Sequence, residues 1–281
     1  MSTSPALSLI LGALLLFNSF LPAGTLAAVG LPFMAGAAFT SVPVFQGGGS
    51  SSEGAMPGLE TDLDCPVDTT YYYNDDGYQI QRTTLDTGTE DLSIYFEVPV
   101  FSGGGPGYQL INDFFQDLRG EFLSDSSGMV AAALEMVNDP DYPPMDSCLY
   151  ELDAAVMGQT GRLISVSIFY SWYMGGVFDY GSSNYTFDTV TGDRLYLTDV
   201  TDVTEGELRD AVRAALAEQD GGNGDIDESV AERDLDSYDF YVQDGKICLS
   251  FDKYEASYGA YGAFDVELSV PLGARWDQGH I

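Results

Sequence analysis

Residues 149–173 read LYELDAAVMGQTGRLISVSIFYSWY, and this stretch decides the fold. Leu149 to Met157 and Leu163 to Tyr173 are two apolar, β-branched and aromatic runs on either side of Gly158-Gln159-Thr160-Gly161, the signature of paired strands around a turn. Upstream, Tyr71-Tyr72-Tyr73, Asn74-Asp75-Asp76-Gly77 and Tyr78-Gln79-Ile80 mark a second hairpin. Leu92, Ile94, Phe96 and Val98 alternate and predict a strand from Leu92 to Phe101. Ile111, Phe114, Phe115, Leu118 and Phe122 then recur at helical spacing, and Met129 to Val137 extends that helix or forms another.

Downstream, Tyr185 to Val190 leads through Thr191-Gly192-Asp193 to a strand at Leu195-Tyr196-Leu197. Thr204 and Glu207 fit a capping box opening a helix whose buried side carries Leu208, Val212 and Leu216. Phe240 to Val242 and Ile247 to Phe251 form a hairpin across Gln243-Asp244-Gly245-Lys246, and Val266 to Val270 is the last strand. Hairpin-linked strands with helices inserted at two places predict an α+β fold. Its sheet or sheets are mainly antiparallel, with helices packed on one face. Leu118, Phe122, Leu208, Val212, Ile247, Leu249 and Phe251 are expected in the core.

The N-terminal part has a different character. Ala6 to Leu21 is apolar apart from Ser8, Asn18 and Ser19, and Thr25-Leu26-Ala27 offers the small residues of a cleavage site. Residues 1–27 therefore read as a signal peptide, although Met1 to Pro5 lack Lys and Arg; an uncleaved anchor is the other reading. Residues 28–64, with Gly47-Gly48-Gly49-Ser50-Ser51-Ser52, are expected to be a flexible tether. Residues 65–273 form one folded unit, and 274–281 a tail. The protein is accordingly expected outside the cytoplasm, periplasmic or secreted, with membrane attachment only if the leader is uncleaved.

The 281 residues carry 44 acids against 10 bases, a formal charge of -34. Nucleic acid is excluded as a direct partner, because phosphate binding needs Lys and Arg. Docking on anionic lipid is equally disfavoured. Such a charge would steer a cationic protein inward, or serve solubility in salty surroundings.

Catalytic signals are sparse. His280, near the C-terminus, is the single histidine, so no Ser-His-Asp or Cys-His constellation is available. Cys65, Cys148 and Cys248 lack C-x-x-C spacing; one disulfide plus one leftover thiol is the simplest count, with Cys248 read as the leftover and the pairing open. The loop Asp220 to Glu228 has calcium-loop composition but fails the EF-hand register. No metal or cofactor is called for, and no carboxylate pair stands out for hydrolysis. The aromatic-rich run from Phe169 to Tyr185 packs core and neighbouring surface. Trp172, Tyr173, Phe178 and Tyr180 are the candidate platform for a sugar ring or a partner's surface.

A set of short motifs in fixed order adds a resemblance. They are Tyr173-Met174-Gly175-Gly176, Phe187-Asp188 with Thr191-Gly192, Leu195-Tyr196-Leu197-Thr198-Asp199, and Gly245 to Ala256, ending in Tyr258-Gly259 and Val270-Pro271. Phe96 to Phe101 followed by Ile111-Asn112 is similar to the companion domain that usually precedes them. Over roughly residues 80–272 the chain resembles the RsiV-like extracytoplasmic family, a domain of unknown function shared by lysozyme-binding anti-sigma factors and some peptidoglycan deacetylases. The resemblance implies a ligand-binding role rather than catalysis, with a cationic protein such as lysozyme as partner. A cell-wall glycan held by exposed aromatics is the alternative, and a carboxylate-dependent hydrolase a further one. The family often has Gly-Gly-Ala-His where this chain has Gly175-Gly176-Val177-Phe178, so that histidine's role is not carried over. No sigma-binding region precedes the hydrophobic segment, so anti-sigma function is not expected.

Overall fold

The structure, a computed structural model, describes residues 66–102, 105–138 (side chains to 124), 148–173 and 178–276. The expected leader, tether and tail, the Gly175-Gly176 motif and His280 lie outside the described residues, apart from tail residues 274–276.

Two sheets form. The larger runs β1 (Val67–Tyr73), β2 (Gln79–Leu85), β3 (Leu92–Val100), β4 (Cys148–Thr160), β5 (Leu163–Tyr173), β6 (Asp179–Asp188) and β7 (Arg194–Leu195), in that spatial order. The smaller has β8 (Phe240–Gln243), β9 (Lys246–Phe251) and β10 (Phe264–Glu267), with β9 central. Every pair is antiparallel except β3–β4, which is parallel. The connection permits that exception. Parallel neighbours need a long crossover, and here it contains helix α1 (Pro106–Asn138), so residues 129–137 continue the first helix.

Two cores result. Ile111, Phe115 and Phe122 of α1 pack on Ile94, Phe96 and Val98 of β3 and Ile164, Val166 and Ile168 of β5. Helix α2 (Glu205–Asp220) packs Leu208, Val212 and Leu216 with Phe240, Ile247, Leu249, Phe251 and Val266 of the small sheet. Of the expected core residues only Leu118 is half-buried, though packed against the first core. The capping box forms: Thr204 Oγ1 accepts from Glu207 N–H at 3.3 Å, and Glu207 Oε2 from Thr204 N–H at 2.9 Å. Gly221 closes the helix at φ 61°, a backbone shape that glycine adopts freely.

Several boundaries differ from expectation; β6, for one, runs from Asp179 to Asp188 rather than from Tyr185 to Val190. The β4–β5 turn sits at Gly161-Arg162, and Gly158 stays in the strand beside a bulge, where a Cβ would lie 2.9 Å from Val242 O. The missing side chain lets β8 approach. Residues 195–197 supply only the end of β7 before a 3-10 turn at Leu197–Asp199. The last strand stops at Glu267, although Leu268 N–H still donates to Ile247 O at 2.8 Å.

The small sheet is applied to β4, β5 and β6 through β8. Val242 N–H donates to Ser165 Oγ at 2.9 Å, and Ser165 Oγ is 2.7 Å from Thr186 Oγ1. Ser165, Ser167, Asn184 and Thr186 are therefore buried, although their alternation along the strands has the pattern of a solvated face. Hydrogen bonding offsets the cost of burying them.

Candidate functional site

The outer edge of β6 is covered by β7 only at Thr186 and Phe187. Backbone N–H groups further along it need other acceptors. Asp239, just before β8, takes Asn184 N–H at 2.9 Å (Oδ1), and its Oδ2 takes the Asn184 amide at 2.7 Å. Asp252, just after β9, takes Ser182 N–H on Oδ1 at 2.9 Å. Two carboxylates thus stand where a further strand would pair.

Contact at this edge is close. A Cβ at Gly181 would lie 2.5 Å from Asp252 Cγ, so only glycine fits. Asp252 Oδ2 receives a long bond of 3.5 Å from Tyr170 O–H, while its backbone N–H donates to Glu255 Oε2 at 2.9 Å. Arg233 grips Glu255 through both its side chain and its carbonyl. Burial pushes the Asp252 carboxyl up to about 7, with Glu255 and Asp179 adding to the effect against the Ser182 bond. Burial also holds Asp239 well above the usual carboxylate range. Such groups suit acid–base work in principle. Here their oxygens are engaged by the β6 edge, which marks them as sheet-edge caps.

Around this junction lie exposed rings. Phe178 and Tyr180 are 45% and 40% exposed, with centroids 5.9 Å apart and planes inclined by 32°. Tyr180 Oη comes within 3.3 Å of the Cβ position of Gly262, at the far end of the β9–β10 loop. Tyr254 and Tyr258 of that loop are exposed as well, and Tyr254 is held at φ 71°, rare for a bulky residue. Gly259 makes room for the Tyr254 ring. Tyr254 to Tyr258 and Gly224 to Asp227 line an open groove of about 320 Å³.

The four residues expected to form a platform separate. The β5–β6 register sets Trp172 opposite Asp179 and Ser171 opposite Tyr180, so Trp172 and Tyr180 occupy opposite faces. Trp172 packs against the α1 core, and its buried Nε1 finds no acceptor among the described residues. Tyr173 is half-buried. Phe178 and Tyr180 remain as surface, and Tyr254 and Tyr258 join the exposed aromatic set. The available signal for those two was their place in the Gly245 to Tyr258 motif, whose chemistry depends on the loop's path.

A second polar network spans β1 to β4. Glu97, 2% exposed, accepts from Tyr72 O–H and from Arg82, each at 2.6 Å. Arg82 lies 4.2 Å from the Tyr95 ring centroid, and Tyr95 O–H donates to Asp153 at 2.8 Å. The acidic loop after α2 is closed locally: Asp220 accepts backbone N–H groups of Gly224, Asp225 and Ile226. Among the described residues no group of three or more His, Cys, Asp or Glu could hold a metal ion. Nor is any helix there long and apolar enough to cross a membrane. Cys148 is buried at the start of β4, Cys248 is half-buried in β9, and Cys65 lies outside the described residues.

No family model matches the chain, and no curated protein matches it. Several solved structures are similar, two of which are DUF3298 family proteins. A DUF3298 family member from Bacteroides fragilis NCTC 9343 shares 15% identity over 76% of this chain and 96% of its own, with a TM-score of 0.42. A DUF3298 family protein from Pseudomonas aeruginosa PAO1 shares 16% over 75% and 92%, with a TM-score of 0.46. Likeness at that level assigns no activity, and the RsiV-like resemblance rests on the motifs quoted above.

Proposed function

We propose that this is an exported, acidic binding protein that takes up a cationic protein such as lysozyme at the cell envelope, and that it works by binding rather than catalysis. One observation carries the reading: all ten bases are already engaged within the molecule. Arg82, Arg162, Arg213, Arg233 and Lys246 pair with carboxylates. Arg119, Arg209 and Arg275 donate to hydroxyl or carbonyl oxygens. Arg194 and Lys253 lie over tyrosine rings. Ten bases cannot neutralise 44 acids, so the charge left facing outward is overwhelmingly negative. A basic partner is drawn into encounter by that field.

The rival is a cell-wall glycan on Phe178, Tyr180, Tyr254 and Tyr258, favoured by their exposure. Stacking on sugar is little affected by salt, whereas charge steering falls with ionic strength. Calorimetry of the folded protein with lysozyme, another small basic protein of similar charge, and peptidoglycan fragments separates these readings. Lysozyme-selective binding that weakens with salt yet survives at about 0.15 M, where the Debye length is about 8 Å, is the expected result. Equal affinities for both basic proteins that vanish together would leave the acidity as a solubility device. Salt-insensitive binding of the fragments alone would favour the glycan.

A further inference from the structure

We propose that Asp252 is a protonation-operated latch joining the β6 edge to the β9–β10 loop, holding when its carboxyl is neutral and loosening when it ionises. The latch stands on an interface rather than on one group. On one side are Gly181 and Ser182 of β6 and Tyr170 of β5; on the other is the loop that carries Tyr254 and Tyr258.

Among the described residues, every ionisable group facing this carboxyl from the packed elements opposes a second charge, or is already committed. Tyr170 comes from β5 and Asp179 from β6, Glu255 follows in the loop, and Asp239 precedes β8. Arg233, the cation behind them, is spent on Glu255. Lys253, next in the chain, is turned onto the Tyr254 ring, 5.2 Å from its centroid. Among the described residues an anion here has one firm donor, Ser182 N–H, and a long contact from Tyr170. A neutral carboxyl keeps the Ser182 bond through its carbonyl oxygen and can donate its own proton to Tyr170 Oη.

The sign follows by linkage. The closed state binds the proton more tightly than the open one, so closure is strongest below the ordinary carboxylate range and is lost as pH rises toward 7. With an open-state value of 3.8 and a closed-state value of about 7, opening increases about 50-fold between pH 5 and 7, then levels off. Because the loop carries Tyr254 and Tyr258 and abuts Tyr180, the exposed aromatic surface is tightest in acid.

Amide hydrogen exchange of the folded protein at pH 5 and 7, corrected for intrinsic rates, tests this. Protection across residues 179–182 and 252–262 is expected to fall by up to about 50-fold in the wild type and to stay level in Asp252→Asn. A wild type without the fall, or a fall that persists in the variant, overturns the latch. Should Asp252→Asn not fold, a carbon-13 titration of the wild-type Asp252 carboxyl decides. A midpoint near 7 that coincides with the wild type's loss of protection upholds the latch, and one near the ordinary 3.8 refutes it.

Discussion

Replacing Phe251 by alanine removes a fully buried ring from the middle of the second core. The ring stacks on Phe264 at 5.2 Å between centroids and meets Tyr238 edge-on at 6.2 Å. Truncating a buried Phe costs about 3–5 kcal/mol, the spread reflecting how far the site can collapse. Collapse is hindered here, because β9 is the central strand and the ladder holds Phe264 of β10 directly opposite Phe251. Each lost aromatic pair adds about 0.5–1.5 kcal/mol, so the expected loss lies toward the upper end, about 4–5 kcal/mol. Urea unfolding followed by far-ultraviolet circular dichroism measures it, with an unchanged slope showing that the unfolded state is not what moved. Tyr258→Ala, on the exposed loop, serves as control and should stay within about 0.5 kcal/mol. A loss under about 1 kcal/mol for Phe251→Ala would mean that β9 turns its other face to α2.

Thr204→Ala removes the Oγ1 acceptor of the α2 capping box and should cost about 1 kcal/mol, read as a lowered Tm. Arg82→Ala leaves Glu97, whose side chain is 2% exposed, without its cation. Because the guanidinium is itself 38% exposed, the expected loss is about 1–3 kcal/mol rather than the figure for a fully buried pair. Chemical denaturation checks it, and Glu97→Gln together with Arg82→Ala should recover part of the loss.

The strands and helices were largely legible, because their signals are local. Tyr71 to Tyr73 with Asn74 to Gly77 announces a hairpin through turn chemistry alone, and β1 and β2 pair accordingly. The 3.6-residue recurrence of Ile111, Phe115 and Phe122 announces α1 in the same way. The aromatic platform was less legible. Ring content identifies neither sheet face nor neighbour, and a one-residue offset between Ser171 and Trp172 sends Trp172 to the α1 core while Tyr180 faces away from it.

By itself, the chain's sequence determined an α+β fold, the capped α2, the three hairpins and a surplus of acid, since each depends on neighbours in sequence or on composition. Tertiary structure decided the parallel β3–β4 pair, which a long crossover permits but does not dictate. It also decided the burial of Ser165, Ser167, Asn184 and Thr186, a pattern identical to a wet face until β8 lies across it. The same holds for Asp239 and Asp252. Each is one acid among 44 until the β6 edge, with its unpaired N–H groups, meets them. Their meaning comes from distance across the fold, which no local spacing encodes.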